Sequence, residues 1–255
     1  MRRLGQHFLK NQEILRKIAS ALEISETDII VEIGPGHGEL TRHILDQNPK
    51  RLIAIEKDKN LAVKLADSLQ KNNLEVILGD ALKELPLLTR DLQSEYKLSG
   101  NIPYYISGYL FRTMESLEKK PALSVFTVQK EVAGRIAAEP PQMNLLAASV
   151  CFWAEPKIIS FVSKKDFSPA PKVDSAVILL KTRLSESPID RKNYYPFIKA
   201  LFKQPRKTIL NNLSALETNK EKLKEKLEKQ GVDPSLRGQD LSFEEILELS
   251  RVFTG

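Results

Sequence analysis

The chain has 255 residues, 42% hydrophobic and 28% charged, with one cysteine and a formal net charge of +6; this length can bury a full α/β core and leave a smaller appendage. A single cysteine excludes an internal disulfide and any cysteine-based zinc spacing, the basic amino terminus lacks the apolar stretch of a secretory signal, and no apolar run approaches the ~20 residues of a membrane span. A water-soluble, cytoplasmic protein is therefore expected, and its basic balance suits a polyanionic partner without identifying one.

After Asn11, a suitable N-cap, Ile14, Ile18, Ala21 and Leu22 recur at helical spacing and predict an amphipathic helix over 12–22. Residues 28–33, apolar and β-branched, read as a strand ending in Gly34-Pro35-Gly36-His37-Gly38 before a helical pattern from Glu39. A strand over 51–56, a helix over 59–71 and a strand over 75–78 running into Gly79-Asp80 continue the alternation. A strand near 96–100, a helix after Ser107, a strand over 122–128 and a helix from Lys130 extend it, which predicts a parallel sheet with helices on both faces.

Cys151 lies in the apolar run 145–154 and reads as a small buried hydrophobe. Segments 157–163 and 173–181 are strand-like with no helix between them, so an antiparallel pair should close one edge of the sheet. Ser185-Glu186-Ser187-Pro188 is a polar link beyond which only helical patterns occur. One domain over 1–184 and a small all-α, RNA-contacting domain over 185–255 are expected. In the latter, a helix over 220–230 stopped by Gly231 should turn Leu223 and Leu227 inward and leave its balanced charges, Glu225 with Lys229 among them, on a solvated face.

The glycine loop lets a strand turn sharply into a helix while its backbone approaches a ligand that side chains would obstruct. Its Gly-x-Gly-x-Gly spacing differs from the Gly-x-Gly-x-x-Gly that cradles a dinucleotide pyrophosphate, which argues against a nicotinamide enzyme. Glu56, ending the second strand, can accept hydrogen bonds from both hydroxyls of a ribose, and Asp80, ending the third, can accept from the amino group of an adenine. Singly these are a tight turn and two ordinary carboxylates. At successive carboxyl ends of strands they point to an adenosine-containing cofactor.

Asn101-Ile102-Pro103-Tyr104-Tyr105 follows the fourth strand at the same edge. The amino nitrogen of adenine is a poor nucleophile because its lone pair is delocalised into the ring, so a catalyst must favour the tetrahedral, positive nitrogen. The Asn101 side-chain oxygen and the Ile102 carbonyl, on a turn stiffened by Pro103, can accept the two amino hydrogens, and Tyr104 can stack on an extruded base. In isolation the tetrapeptide would be a proline turn with a packed aromatic. Beside an adenosine site it resembles the amino-methyltransferase motif of DNA and RNA enzymes.

Gly5-Gln6-His7-Phe8-Leu9, Glu32-Ile33-Gly34-Pro35-Gly36, Asn101 to Ser107, Gln129-Lys130-Glu131-Val132-Ala133 and Phe167 to Ser175 together resemble the ribosomal RNA adenine dimethyltransferase family over nearly the whole chain. Arg206-Lys207-Thr208 with Asn211-Asn212-Leu213, and Asp233-Pro234-Ser235-Leu236-Arg237 with Leu241-Ser242, resemble its bacterial small-subunit branch. The resemblance implies a Rossmann-like class I methyltransferase sheet and S-adenosylmethionine as cofactor. It also implies dimethylation of two adjacent adenosines, in a hairpin near the 3′ end of small-subunit (16S) ribosomal RNA, during late assembly of the small ribosomal subunit. By the same carry-over His7, Leu9, Gly34, Glu56, Asp80 and Asn101 contact the cofactor, with Gly36 beside them in the loop. Asn101, Ile102, Pro103 and Tyr104 then form the target-base pocket, and Phe167 stacks on the other face of the base.

Two departures stand out: His7 replaces the family's usual Asn, and 140–145 replaces a Tyr-Gly pair before a Leu-Ser step. An in-line methyl transfer needs alignment and desolvation rather than a general base. No metal is expected, since His7, His37 and His43 are scattered. Phosphate contacts with RNA are expected from Arg2, Arg3, Lys10, Arg16 and Lys17 and from Lys199, Lys203, Arg206 and Lys207, in a monomer. The alternatives are a large-subunit methyltransferase of the antibiotic-resistance type, which the tail disfavours, and a DNA adenine methyltransferase, for which a target-recognition domain is missing. A non-catalytic assembly or transcription factor is a third, against which the intact motifs argue.

Overall fold

The computed structural model describes residues 6–183, 189–217 and 219–254, so the expected link over 185–188 and the expected contacts of Arg2 and Arg3 lie outside the described residues. The elements in chain order are β1 (Phe8–Leu9), α1 (Gln12–Ala21), β2 (Ile29–Ile33), α2 (Glu39–Leu45), β3 (Arg51–Glu56), α3 (Lys59–Ser68), β4 (Leu74–Leu78), α4 (Ala81–Asp91), β5 (Tyr96–Asn101) and α5 (Ser107–Ser116). They continue with β6 (Leu123–Gln129), α6 (Lys130–Ile136), α7 (Leu145–Cys151), β7 (Ala154–Val162), β8 (Phe167–Ser168), β9 (Ser175–Thr182), α8 (Arg191–Leu201), α9 (Ile209–Leu213), α10 (Lys220–Lys229) and α11 (Phe243–Thr254).

These elements form two compact units, one of Met1–Ala133 with Glu155–Thr182 and the other of Gly134–Ala154 with Arg183–Gly255. In the first, seven strands among the described residues form one sheet in the order β4-β3-β2-β5-β6-β9-β7. Strands β2 to β6 are parallel where they pair, β9 runs antiparallel to β6, and β7 lies outermost beside β9, so the two segments expected to close one edge of the sheet are neighbours there. The central strands read as nearly continuous apolar runs because helices cover both faces; all five residues of β2 are buried. Asn11 caps α1 by accepting from the Glu13 and Ile14 amides, and the helix buries Leu15 and Ile18 against Ile30, Leu40 and Leu52.

Three elements of this unit have no counterpart in the expected series. Helix α4 contains Pro86, whose missing N–H reads as a helix breaker, yet the Asp80 side chain caps its start and Leu85 is fully buried. Strands β1 and β8 are too short for any hydrophobic period; they pair antiparallel as a separate ribbon, Leu9 opposite Phe167.

The described elements of the second unit are helical. Its core draws on an excursion from the sheet unit: Met143, Ala147, Ala148 and Cys151 pack with Tyr194, Phe197, Ile198 and Leu201. Asn144 caps α7 through the Leu146 and Ala147 amides, and the Tyr194 hydroxyl donates to the Ala148 carbonyl at 3.0 Å. In α10, Leu223 and Leu227 are fully buried, and the helix ends before Gly231 at φ 72°. The ion pair formed along that helix is Lys224–Glu228, at 3.6 Å, rather than the expected Glu225–Lys229.

Candidate active site

Strand order reverses between β2 and β5, which opens a crevice beyond their carboxyl ends, the usual ligand position in an open α/β sheet. The in-register pairs Ile33–Ile55, Glu56–Leu78 and Ile33–Gly100 bring the residues that follow β2, β3, β4 and β5 to one edge. A pocket there is walled by Gln6, His7, Phe8, Gly34, Gly36, Glu56, Lys57, Asp80 and the segment Asn101 to Ile106. It thus joins the glycine loop, both acids and the Asn-Ile-Pro-Tyr turn that the sequence places apart.

The loop is held open by its own backbone. Gly34 has φ 65° and donates to the Ile55 carbonyl at 2.9 Å. A Cβ at Gly34 would meet nothing within 4 Å, so a ligand can approach its bare backbone. Gly36, at φ 61°, would place a Cβ 2.8 Å from the Phe8 ring, which fixes glycine there on both counts.

Glu56 is 3% exposed; its two oxygens accept the Gly36 amide at 3.1 Å and the Asp58 amide at 2.8 Å. Each oxygen retains acceptor capacity toward the pocket. Asp80 accepts the Leu82 amide at 3.1 Å and the Lys57 ammonium at 2.7 Å. That ammonium holds the Asp80 carboxyl below its ordinary range, and Asp80 in turn raises Lys57. Beneath the loop Glu32 is 1% exposed with Oε2 unpartnered, and burial pushes its carboxyl up to about 8.

At the turn, the Asn101 amide nitrogen donates to the His7 carbonyl at 2.7 Å. A carbonyl can only accept, so the amide orientation is fixed and Oδ1 is left as the free acceptor. The Ile102 amide donates to the Thr127 carbonyl at 3.0 Å, and among the described residues no donor occupies the Ile102 carbonyl. The His7 ring is anchored as well, Nδ1 lying 2.7 Å from the Pro169 carbonyl. Burial raises the Tyr104 hydroxyl, which lies 2.7 Å from that of Ser175.

Two expected site residues stand outside this wall. Phe167 is 5% exposed and Leu9 2%; both pack in the core with Leu15 and Ile18. Neither side chain lines the pocket, so the geometry of this structure lends no support to the base-stacking role expected of Phe167 or to a side-chain contact from Leu9. Phe8, Lys57 and Ser175 shape the site without having been singled out, because only folding brings them there.

The family model for ribosomal RNA adenine dimethylase matches residues 1–254. The chain belongs to the ribosomal RNA adenine dimethylase family. Relatives named ribosomal RNA small subunit methyltransferase A include one from Dehalococcoides mccartyi, 36% identical over 98% of this chain and 87% of that protein. Another, from Clostridium botulinum, is 37% identical over 97% and 91%. Among solved structures, a dimethyladenosine transferase from Plasmodium falciparum superposes with a TM-score of 0.80 at 28% identity, covering 95% of this chain and 96% of that one. The 23S rRNA methyltransferase ErmE superposes at 0.82 with 22% identity, covering 97% and 100%, and shares the fold.

This ribosomal RNA adenine dimethylase is an S-adenosylmethionine-dependent methyltransferase. The pocket fits that cofactor: the space a Cβ at Gly34 would fill is open, and two acidic acceptors stand beside it. Among the described residues no group of three His, Cys, Asp or Glu side chains is placed to hold a metal ion. No described helix is long and apolar enough to cross a membrane.

Proposed function

We propose that this enzyme dimethylates N6 of two adjacent adenosines in a hairpin near the 3′ end of small-subunit ribosomal RNA, acting as a cytoplasmic monomer on the immature subunit. The observation that carries the chemistry is the Asn101–His7 hydrogen bond, which commits the amide nitrogen of this pocket-lining residue and leaves Oδ1 as its free acceptor. The relatives named for the small subunit support the choice of RNA.

In this reading Glu56 receives the ribose hydroxyls of the cofactor, Asp80 its adenine amino group, and Gly34, Gly36, His7 and the Leu9 backbone complete the cradle. Bound S-adenosylmethionine supplies an electrophilic sulfonium methyl group. Asn101 Oδ1 and the Ile102 carbonyl accept the two hydrogens of the target amine and strengthen their hold as positive charge develops on nitrogen. Pro103, at φ −56°, stiffens the turn that presents both acceptors. Tyr104 stacks on the extruded base. The methylated, cationic nitrogen is acidic enough to release its proton to water, so no residue of the chain acts as general base. Exposed Arg16, Lys17, Lys199, Lys203, Arg206 and Lys207 contact phosphates, while Lys10 shares its charge with Glu39 at 2.6 Å.

The test is to incubate the protein with methyl-labelled cofactor and unmethylated small subunits, then map labelled nucleosides. Dimethyladenosine at two neighbouring positions of the small-subunit RNA is expected. Label confined to large-subunit RNA or to DNA would overturn the reading.

A further inference from the structure

A groove is lined by Gln129, Lys130, Glu131, Lys164, Lys172, Val173 and Asp174, none of which has been given a role above, although six of them lie within the motifs Gln129 to Ala133 and Phe167 to Ser175. It is continuous with the target site through the β6–β9 pair. Gln129 is in register with Ser175, the residue bonded to Tyr104, and the Lys130 amide donates to the Asp174 carbonyl at 3.0 Å.

Lys130, Lys164 and Lys172 are all exposed around this groove. Of the two acids, Asp174 has a structural task, since its Oδ1 accepts the Lys164 amide at 2.9 Å and fixes the loop; Glu131 is exposed at the start of α6. Above Lys130 stands Phe161, on the outermost strand β7, 62% exposed, with the ammonium 5.0 Å from its ring centroid. An exposed aromatic paired with a lysine of this groove matches the combination of phosphate contacts with a stacking platform used to hold single-stranded nucleic acid.

We propose that this groove holds the nucleotides flanking the target adenosine, the three lysines on their phosphates and Phe161 stacked on a neighbouring base. The inference rests on the proposed RNA reading and extends it to a surface that positions the strand.

The test compares wild type with a Lys130→Gln/Lys164→Gln/Lys172→Gln variant and with Phe161→Ala, using unmethylated small subunits. The triple variant should raise KM at least tenfold with kcat and cofactor affinity unchanged. Its log–log salt slope should be shallower by about 2, at ~0.7 per lost single-strand phosphate contact. Phe161→Ala should raise KM by about tenfold, within the range of one lost stack. Wild-type KM and salt slope in the triple variant, with wild type active, would overturn the groove alone; inactivity of wild type on this RNA would instead overturn the proposed function. A photo-crosslinking residue at position 161 gives a readout that does not depend on the lysine substitutions. Crosslinks to nucleotides beside the target are expected, and crosslinks solely to a ribosomal protein would refute the RNA assignment.

Discussion

The hydroxyls of Tyr104 and Ser175 lie 2.7 Å apart and join the turn after β5 to the first residue of β9. This bond fixes the plane of a ring that is half-buried at the pocket wall. If the ring is the stacking surface for the target base, its face matters more than its hydroxyl. Tyr104→Phe should therefore keep methylation within a few-fold of wild type, while Tyr104→Ala should lose about 1–3 kcal/mol of transition-state binding. Steady-state kinetics on small subunits decide this; equal losses in both variants would mean that the hydroxyl carries the role.

Glu32 makes stability depend on pH in a direction opposite to that of most carboxylates. Burial, reinforced by Glu56 and Glu39, raises its carboxyl from an ordinary 4.5 to about 8 in the folded chain. The native state therefore binds this proton more tightly than the unfolded chain. That contribution is complete below about pH 4.5 and is lost as pH rises through about 8. Glu32→Gln is neutral throughout, so Tm of the variant minus Tm of wild type should grow between pH 5 and 9. A difference that does not change with pH would contradict the burial argument.

Phe167 separates core from site. As a core ring opposite Leu9 it should tolerate Phe167→Leu with nearly full activity, whereas Phe167→Ala should cost about 3–5 kcal/mol of stability. Denaturant unfolding alongside turnover checks both. A stable Phe167→Leu protein that has lost methylation would restore the ring to the base pocket.

What could be read from the residues followed from how local each signal is. The β2 strand with its glycine loop, Glu56 and Asp80 at strand ends, and the Asn101 turn are short contiguous patterns, and each emerges where its pattern puts it. The groups that complete the site are contributed across the chain: the His7 carbonyl on Asn101, the Phe8 ring on Gly36, Ser175 on Tyr104 and Lys57 on Asp80. No periodicity encodes such partners. The burial of Phe167 was illegible for the same reason, since its two-residue ribbon has no length over which to show alternation. The excursion over 134–154 was hidden because a helical pattern after a strand reads equally as a sheet crossover or as part of a separate helical core.

The account depends most on Asn101 acting through its free oxygen in the transition state. Its most direct test is the single-turnover rate of Asn101→Ala at saturating cofactor and saturating small subunits, with both affinities measured separately. A fall of about 10²- to 10³-fold, the usual scale for removing one transition-state hydrogen-bond partner, is predicted, with RNA affinity largely preserved. A rate within threefold of wild type would contradict it.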